Sequence, residues 1–110
     1  MKYEIFQSDK NQKYYFNLKA KNGQVILSSQ GYTNKAGAKN GCESVSKNCS
    51  NDDCYDRKVA KNGKHHFNVL AANKQIIGSS QMYASKSSME AGVKAVKRVG
   101  PEAGIVDLTA

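Results

Sequence analysis

The sequence has no tryptophan, a single proline, few acidic side chains and no long run of apolar residues. Because a helix that crosses a bilayer needs about 20 consecutive apolar residues, a transmembrane segment of that kind is excluded. The residues after Met1 lack the apolar core of a secretory signal and lead directly into a strand-like pattern. We therefore expect a cytoplasmic protein without membrane contacts.

Cysteine is also scarce. Cys42, Cys49 and Cys54 form an odd set without the paired spacing of a secreted disulfide framework, so reduced thiols are expected. A zinc site made of Cys49, Cys54, His65 and His66 would not have the usual ligand spacing. Adjacent residues of a strand also point to opposite faces. The sequence thus predicts no metal site and no cofactor.

Positive charge is in excess. Seventeen Lys and Arg against nine Asp and Glu give a formal net charge of +8, which favours polyanions through long-range attraction and counterion release. Both halves share the excess, since residues 1–50 and residues 54–110 each carry a formal charge of +5. The partners that this charge predicts are an acidic protein or a nucleic acid.

The strongest signal is an internal repeat with an offset of 51 residues. Across positions 16–47 and the positions 51 residues later, 13 of 32 aligned pairs are identical without a gap. Self-similarity of this kind indicates a duplicated structural unit. We divide the chain into repeat one, residues 1–53, and repeat two, residues 54–110. Because two separate domains of this size would be near the lower limit for folding alone, a single pseudo-symmetric domain over residues 1–110 is expected.

Each repeat predicts three strands followed by a helix. In repeat one, alternating apolar positions indicate strands near residues 2–7, 14–20 and 24–29. Apolar side chains then recur at i, i+4 and i+7, which is typical of an amphipathic helix. This stripe comprises Ala38, Cys42 and Val45 in repeat one and Met89, Val93 and Val96 in repeat two. A last strand is expected at residues 105–108.

Four local features carry sharper expectations. Gly41 and Gly92 occupy matching places inside the helices, where glycine costs roughly 0.5–1 kcal/mol relative to alanine. Their presence predicts a close approach of helix to sheet. Lys74 stands where repeat one has its turn glycine, so either mild backbone strain or a different turn is expected there. Ser87 and Glu90 fit a capping box at the start of the second helix.

The end of repeat one coincides with the start of repeat two. The strand at 105–108 follows the second helix, and its counterpart after the first helix is the segment near residues 55–60, which also opens repeat two. One shared strand would then close the first unit and begin the second. The predicted result is a common sheet that neither half completes alone.

The repeated motif resembles that of the YegP-like family of small bacterial proteins of unknown function. The residues that carry the resemblance are Ile26, Ser28, Ser29, Gln30, Gly31, Tyr32, Lys35, Gly41, Ser44, Val45 and Lys47 in repeat one and Phe67, Asn68, Val69, Ala71, Ser80, Gln81, Met82, Tyr83, Ser85, Lys86, Met89, Glu90 and residues 106–109 in repeat two. Cys42 and Lys74 depart from the family pattern, but the resemblance covers nearly the whole chain.

The resemblance implies an α+β fold. Two tandem β3-α-β repeats would form a single antiparallel sheet, with exchanged C-terminal strands and two helices packed on it. Single-unit members of the family are expected to pair as dimers, so the resemblance implies that this two-unit chain is a monomer. No reaction, cofactor or catalytic residue is established for that family, so the resemblance implies none for this chain.

A polar motif, Ser-Gln-x-Tyr-x-x-Lys, occurs in both repeats where a strand gives way to a helix. Hydroxyl, amide and ammonium groups near a helix N-terminus favour an anion. The same groups also suit an ordinary junction, in which Ser bonds to the turn backbone, Tyr covers the edge of the core and Lys is solvated. The candidate binding residues are Ser29, Gln30, Tyr32, Lys35, Ser80, Gln81, Tyr83 and Lys86.

No nucleophile paired with a base and no pair of carboxylates emerges from the sequence, so we predict no catalytic residues and a protein that is not an enzyme. Tyr15 and His66 fall on outward positions of the second strands, but the aromatic run of a single-stranded nucleic-acid platform is missing. The leading hypothesis is a non-catalytic binding or interaction module biased toward anionic partners. The alternative is a pseudo-symmetric protein that binds a small anionic ligand at the paired turns.

Overall fold

The alternating and helical stretches of the sequence form seven strands and two α-helices in the computed structural model, which describes residues 1–109. The elements are β1 (Lys2–Gln7), β2 (Tyr14–Lys19), β3 (Val25–Ser29), α1 (Lys35–Asn48), β4 (Tyr55–Val59), β5 (His65–Leu70), β6 (Ile76–Ser79), α2 (Lys86–Val99) and β7 (Gly104–Asp107). A short 3-10 turn, Asp52–Cys54, precedes β4. Neither α-helix of the described residues has the length and apolar character to span a membrane.

All seven strands form one sheet in the order β4-β5-β6-β3-β2-β1-β7. The two repeats meet at its centre, where β3 and β6 run antiparallel and Ser28 lies opposite Ser79. The predicted exchange of a C-terminal strand is confirmed, because β7 of repeat two lies beside β1 of repeat one. That pair is parallel, so the sheet is mixed and not wholly antiparallel as expected. The predicted α+β fold of two tandem repeats is confirmed.

The exchange takes place on one side of the sheet. The segment that was expected to serve both repeats forms β4, which pairs with β5 and, within residues 1–109, with no strand of repeat one. Only six residues, 49–54, connect α1 to β4, and half of them form the 3-10 turn. This connection is too short to supply a further strand. The junction of the repeats is therefore the β3–β6 pair, and β4 is an edge strand.

The core lies between the sheet and the helices, with α1 packed on β1 and β2 and α2 packed on β3 and β5. Strand side chains with no more than 1% exposure include Tyr3, Phe16, Leu18, Phe67 and Val69. The predicted stripes are confirmed, since Ala38, Cys42, Val45, Met89, Val93 and Val96 are all buried. Because each fully buried Leu, Val or Phe side chain contributes about 1.5–3 kcal/mol, these two matched sets supply much of the stability.

Both helical glycines lie against tyrosine rings. A Cβ added at Gly41 would collide with the hydroxyl of Tyr32 and come within 2.9 Å of the Phe16 ring. At Gly92 an added Cβ would collide with the hydroxyl of Tyr83. The predicted close approach is confirmed, and it explains why glycine is tolerated in the middle of two helices.

The start of α2 differs from the expectation. Its N-cap is Ser85, whose hydroxyl accepts a hydrogen bond from the Ser88 N–H at 3.1 Å, so the predicted capping box at Ser87 is wrong. The helix begins earlier because Ser85 matches Asn34, which caps α1 in the same way. The expected strain in the β5–β6 turn is confirmed, since Lys74 has a φ of +71°.

Candidate functional site

The serines of the repeated motif bond to the backbone. The Ser29 hydroxyl accepts a hydrogen bond from the Phe16 N–H at 2.8 Å and donates one to the Gln30 carbonyl at 2.8 Å. Ser80 does the same between Phe67 and Gln81, at 3.0 and 2.8 Å. Both hydroxyls therefore hold the end of a strand against its neighbour.

The tyrosines of the motif anchor the connection from strand to helix. The backbone of Tyr32 exchanges two hydrogen bonds with Tyr14, and Tyr83 exchanges two with His65. The ring of Tyr32 stacks on Phe16 with centroids 6.5 Å apart. Burial, and to a smaller degree the nearby Cys42, raises the pKa of Tyr32. These contacts make each tyrosine part of the packing between helix and sheet.

The two lysines of the motif have different surroundings. Lys35 Nζ lies 2.9 Å from a carboxylate oxygen of Asp107 at the end of β7. Asp107 also accepts hydrogen bonds from the N–H and hydroxyl of Thr109, and together these donors lower its pKa to about 2. Lys86 is exposed and has no carboxylate within ion-pair distance among residues 1–109. The difference arises because β7 lies beside β1, whereas in the described part of the chain β4 has no such neighbour.

Part of the motif in repeat one lines a groove of about 480 Å³ between α1 and the turn from β5 to β6. Its polar lining comprises Gln30, Tyr32, Asn40, Ser44, Asn73 and Gln75. The lining offers amides and hydroxyls, and it contains no Lys, Arg or His within the described residues. The structure thus brings Gln30 and Tyr32 to one groove but directs Lys35 to Asp107. Binding of an anion by the eight motif residues stays a prediction.

A second pocket, of about 260 Å³, lies at the edge strand β4 and carries more charge. Its lining is Arg57, Lys58, Val59, His65, Lys86 and Met89. Lys86 is the one motif residue here. Three cationic side chains thus lie at the edge of β4, and within residues 1–109 Lys86 is the one among them that forms no ion pair.

Arg57 is a residue that the sequence reasoning missed. Its guanidinium donates two hydrogen bonds to Glu90 of α2, at 2.7 and 3.1 Å, and two to Asp52, at 2.9 and 3.3 Å. Lys97 Nζ also contacts Asp52, at 2.7 Å. Arg57 and Lys97 together lower the pKa of Asp52 to about 2. The network ties β4 to α2 and to the turn before β4.

A signal for this network exists in the repeat itself. In the sheet, Tyr55 and Arg57 lie opposite Val69 and Phe67, as their counterparts in β1 lie opposite Leu18 and Phe16. Arg57 therefore occupies the place of the buried Ile5. An arginine at a core position requires a buried or shielded carboxylate, and comparison of the two repeats would have pointed to Glu90.

The three cysteines are free and buried. Burial raises the pKa of Cys42 to about 12 and also raises that of Cys49. Within residues 1–109 no group of three or more His, Cys, Asp or Glu side chains is arranged to hold a metal ion.

Ion pairs are unevenly distributed over the cations. Those within residues 1–109 engage six of the 17 Lys and Arg, together with five of the nine carboxylates. The side chains outside these ion pairs are Lys10, Lys13, Lys21, Lys39, Lys47, Lys61, Lys64, Lys74, Lys86, Lys94 and Arg98 among the cations and Asp9, Glu43, Asp53 and Glu102 among the acids.

These features define a duplicated α+β protein whose two strand-to-helix junctions carry the same polar motif and whose surface is rich in unpaired cations. The family described as "Domain of unknown function (DUF1508)" matches the chain twice, at residues 9–56 and 60–107. The chain belongs to this family as a two-repeat member.

Relatives of known sequence and structure agree with this assignment. The chain is 52% identical over 107 residues to a UPF0339 protein of Acinetobacter baylyi, covering 97% of this chain and 96% of that protein. The structure of YegP from Escherichia coli, a protein of unknown function, is similar with a TM-score of 0.91 and 44% identity, covering 97% of this chain and 91% of that one. A UPF0339 protein of Shewanella oneidensis also has a TM-score of 0.91, at 48% identity, covering 97% and 90%. The resemblance to the YegP-like family is confirmed.

Proposed function

We propose that the chain is a monomeric, non-catalytic interaction module that binds an anionic macromolecular partner through cations left unpaired by the fold. The distribution of ion pairs carries this proposal. Eleven cations and four carboxylates lie outside the ion pairs of residues 1–109, so that +7 of the net charge of +8 belongs to side chains able to meet a partner. A charge excess of this kind attracts a polyanion over several ångströms and speeds its association.

The unpaired cations occupy matching places in the two repeats. Lys10 and Lys13 lie in the turn between β1 and β2, and Lys61 and Lys64 lie in the equivalent turn between β4 and β5. All four are exposed, as are further cations on the outer faces of the helices. Since the two turns belong to different repeats, a long partner could engage more than one of them.

Titration against polyglutamate, single-stranded DNA and duplex DNA at several salt concentrations tests the proposal. We expect affinity for at least one polyanion to fall steeply between about 50 and 200 mM salt, because bound counterions are released on binding. Replacement of Lys10, Lys13, Lys61 and Lys64 by glutamine should weaken binding and reduce the salt slope. The matched control replaces the same four lysines by arginine and should retain both. If none of the polyanions binds with a salt-dependent affinity, the proposal fails.

The second candidate function is capture of a small anionic ligand at the paired turns. The groove that contains Gln30 and Tyr32 favours it, whereas the engagement of Lys35 by Asp107 removes a cation from the expected set. An NMR screen with phosphates, nucleotides and carboxylates separates these possibilities. Shifts at the motif residues of both repeats would support small-ligand binding, and shifts confined to scattered surface lysines would contradict it.

A further inference from the structure

We infer that the free edge of β4 is a docking site for an extended segment of a partner protein, which adds to the sheet as a parallel strand and places an acidic side chain at Lys86. Such docking rests on the proposed function and gives it a location and a kind of ligand. The internal strand β7 shows how this fold holds a strand of that type.

At the opposite edge of the sheet, β7 pairs with β1 in a defined register. Ile105 lies opposite Tyr3 and Asp107 lies opposite Ile5. The Leu108 N–H donates to the Ile5 carbonyl at 2.9 Å, and Lys35 holds the Asp107 carboxylate at 2.9 Å. Capture of a parallel strand here thus combines backbone hydrogen bonds with one ion pair near the start of a helix.

The edge of β4 is built in the same way as that of β1. Tyr55 occupies the place of Tyr3, and each hydroxyl donates to a carbonyl at the end of a helix: Tyr55 to Cys49 at 2.6 Å and Tyr3 to Gly100 at 2.8 Å. Lys86 occupies the place of Lys35, 51 residues along the chain. Within residues 1–109, however, no strand lies beside β4 on this side.

The backbone of β4 is oriented to accept a strand. The Ala60 N–H donates to the Lys64 carbonyl at 2.8 Å, so the even-numbered residues of this hairpin face β5. The N–H and C=O groups of Tyr55, Arg57 and Val59 are then directed at the free edge. A row of such groups is the template for strand addition, the mode by which many domains bind extended peptides.

Charge selects the ligand. In the register of β7, the side chain that takes the place of Asp107 would lie opposite Arg57 and beside Lys86, at the pocket that also includes Val59 and His65. Because Glu90 and Asp52 already hold the Arg57 guanidinium, Lys86 supplies the charge that attracts the acidic side chain. An apolar side chain two residues earlier would lie opposite Tyr55, as Ile105 lies opposite its counterpart in β1. Short length and a charged residue such as Lys58 discourage indiscriminate pairing at an edge, so a complementary acidic segment is favoured.

A second copy of the chain is less suited to the edge of β4 than an acidic segment. Each copy carries a net charge of +8, which opposes the approach of two β4 edges. The strand β7 of another copy is already paired with its own β1, and only four residues, 100–103, connect it to α2. The ligand is therefore an extended acidic segment of a different protein.

The probe for this site is a capped peptide with the sequence AGIVDLT, which copies residues 103–109. Titrated into ¹⁵N-labelled protein, it should shift the amide signals of β4 and of Lys86. A peptide with Asn in place of Asp should bind about two- to fivefold more weakly, as expected for a partly exposed ion pair. Lys86→Gln should weaken the Asp peptide by a similar factor and Lys86→Glu by more, while the control Lys94→Gln on the same helix should have no effect.

A peptide N-methylated at the residue that copies Leu108 tests the strand geometry, because methylation removes the N–H that donates to the Ile5 carbonyl in β7 and that would donate to the Arg57 carbonyl at this site. We expect this peptide to lose binding, while the binding of polyglutamate by the same protein is unaffected. Docking at β4 is refuted if the unmodified peptide shifts only β1 and β7, if shifts are confined to scattered lysines, or if neither Lys86→Glu nor N-methylation weakens binding. If the protein binds polyglutamate but no peptide at β4, the docking site is refuted and the proposed function stands. If it binds neither the peptide nor any polyanion, the docking site and the proposed function are both refuted.

Discussion

Truncation of one core ring should destabilise both repeats together. Phe67 is fully buried in repeat two, its ring centroid lies 5.7 Å from that of Tyr55, and its N–H is bonded to Ser80. Replacement by alanine removes the contacts of the ring and leaves a cavity, while the backbone N–H that bonds to Ser80 remains. The cost expected for a large-to-small change of this kind is about 3–5 kcal/mol. A domain of ordinary stability, about 5–15 kcal/mol, would lose a fifth or more of it.

The loss should be shared because several contacts cross from one repeat to the other. The N–H of Gln30 donates to the Ile77 carbonyl at 3.1 Å, and the strand β7 pairs with β1. The hydroxyl of Tyr3 bonds to the Gly100 carbonyl at the end of α2. Unfolding of repeat two alone would remove these hydrogen-bond and strand partners from repeat one, so we expect a single cooperative transition.

Residue-resolved hydrogen exchange together with urea unfolding checks this prediction. In Phe67→Ala, the slowest amides of β1 and β2 should lose as much protection as those of β5. The control is Val59→Ala, at a side chain that is 64% exposed, where the free energy of unfolding should change by about 0.5 kcal/mol or less. If repeat one keeps wild-type protection in Phe67→Ala, the two repeats fold independently and the single-domain prediction is wrong.

Three further predictions concern local contacts. Donors from Thr109 and Lys35 lower the folded-state pKa of Asp107 to about 2 from an ordinary 3.8, so its contribution to stability is present above about pH 4 and is lost as the pH falls toward 2. Asp107→Asn should therefore flatten this part of an acid-unfolding curve, and an unchanged curve would contradict the prediction. Gly100→Ala should cost about 1–3 kcal/mol, since the new Cβ would lie 2.6 Å from a buried thiol sulfur, whereas Gly104→Ala, with nothing within 4 Å, should be nearly neutral in thermal unfolding. The thiol of Cys42, whose pKa burial raises to about 12, should resist alkylation until the protein unfolds; rapid labelling of the native state by mass spectrometry would refute this.

Matched local patterns led to matched local structures. The apolar alternation that places Phe16 and Phe67 inward and the helical stripes that bury Cys42 and Val93 depend only on near neighbours, so both could be predicted from the sequence. The duplication itself predicted the common sheet. Even the glycines at matching places in the helices pointed correctly to a close contact with the sheet.

Identical motifs nevertheless acquired different partners, and only the tertiary structure decided which. Lys35 and Lys86 occupy the same place in the repeated motif, but the first forms an ion pair with Asp107 and the second is exposed at the edge of β4. The reason lies in strand pairing over long distances: β7, which follows α2, pairs with β1 of the other repeat, whereas the six residues between α1 and β4 leave no room for a corresponding strand. A local sequence pattern does not specify which edge of a sheet a strand will pair with. The sequence therefore determined the strands and helix of each repeat, and the tertiary structure determined which strand of one repeat pairs with the other.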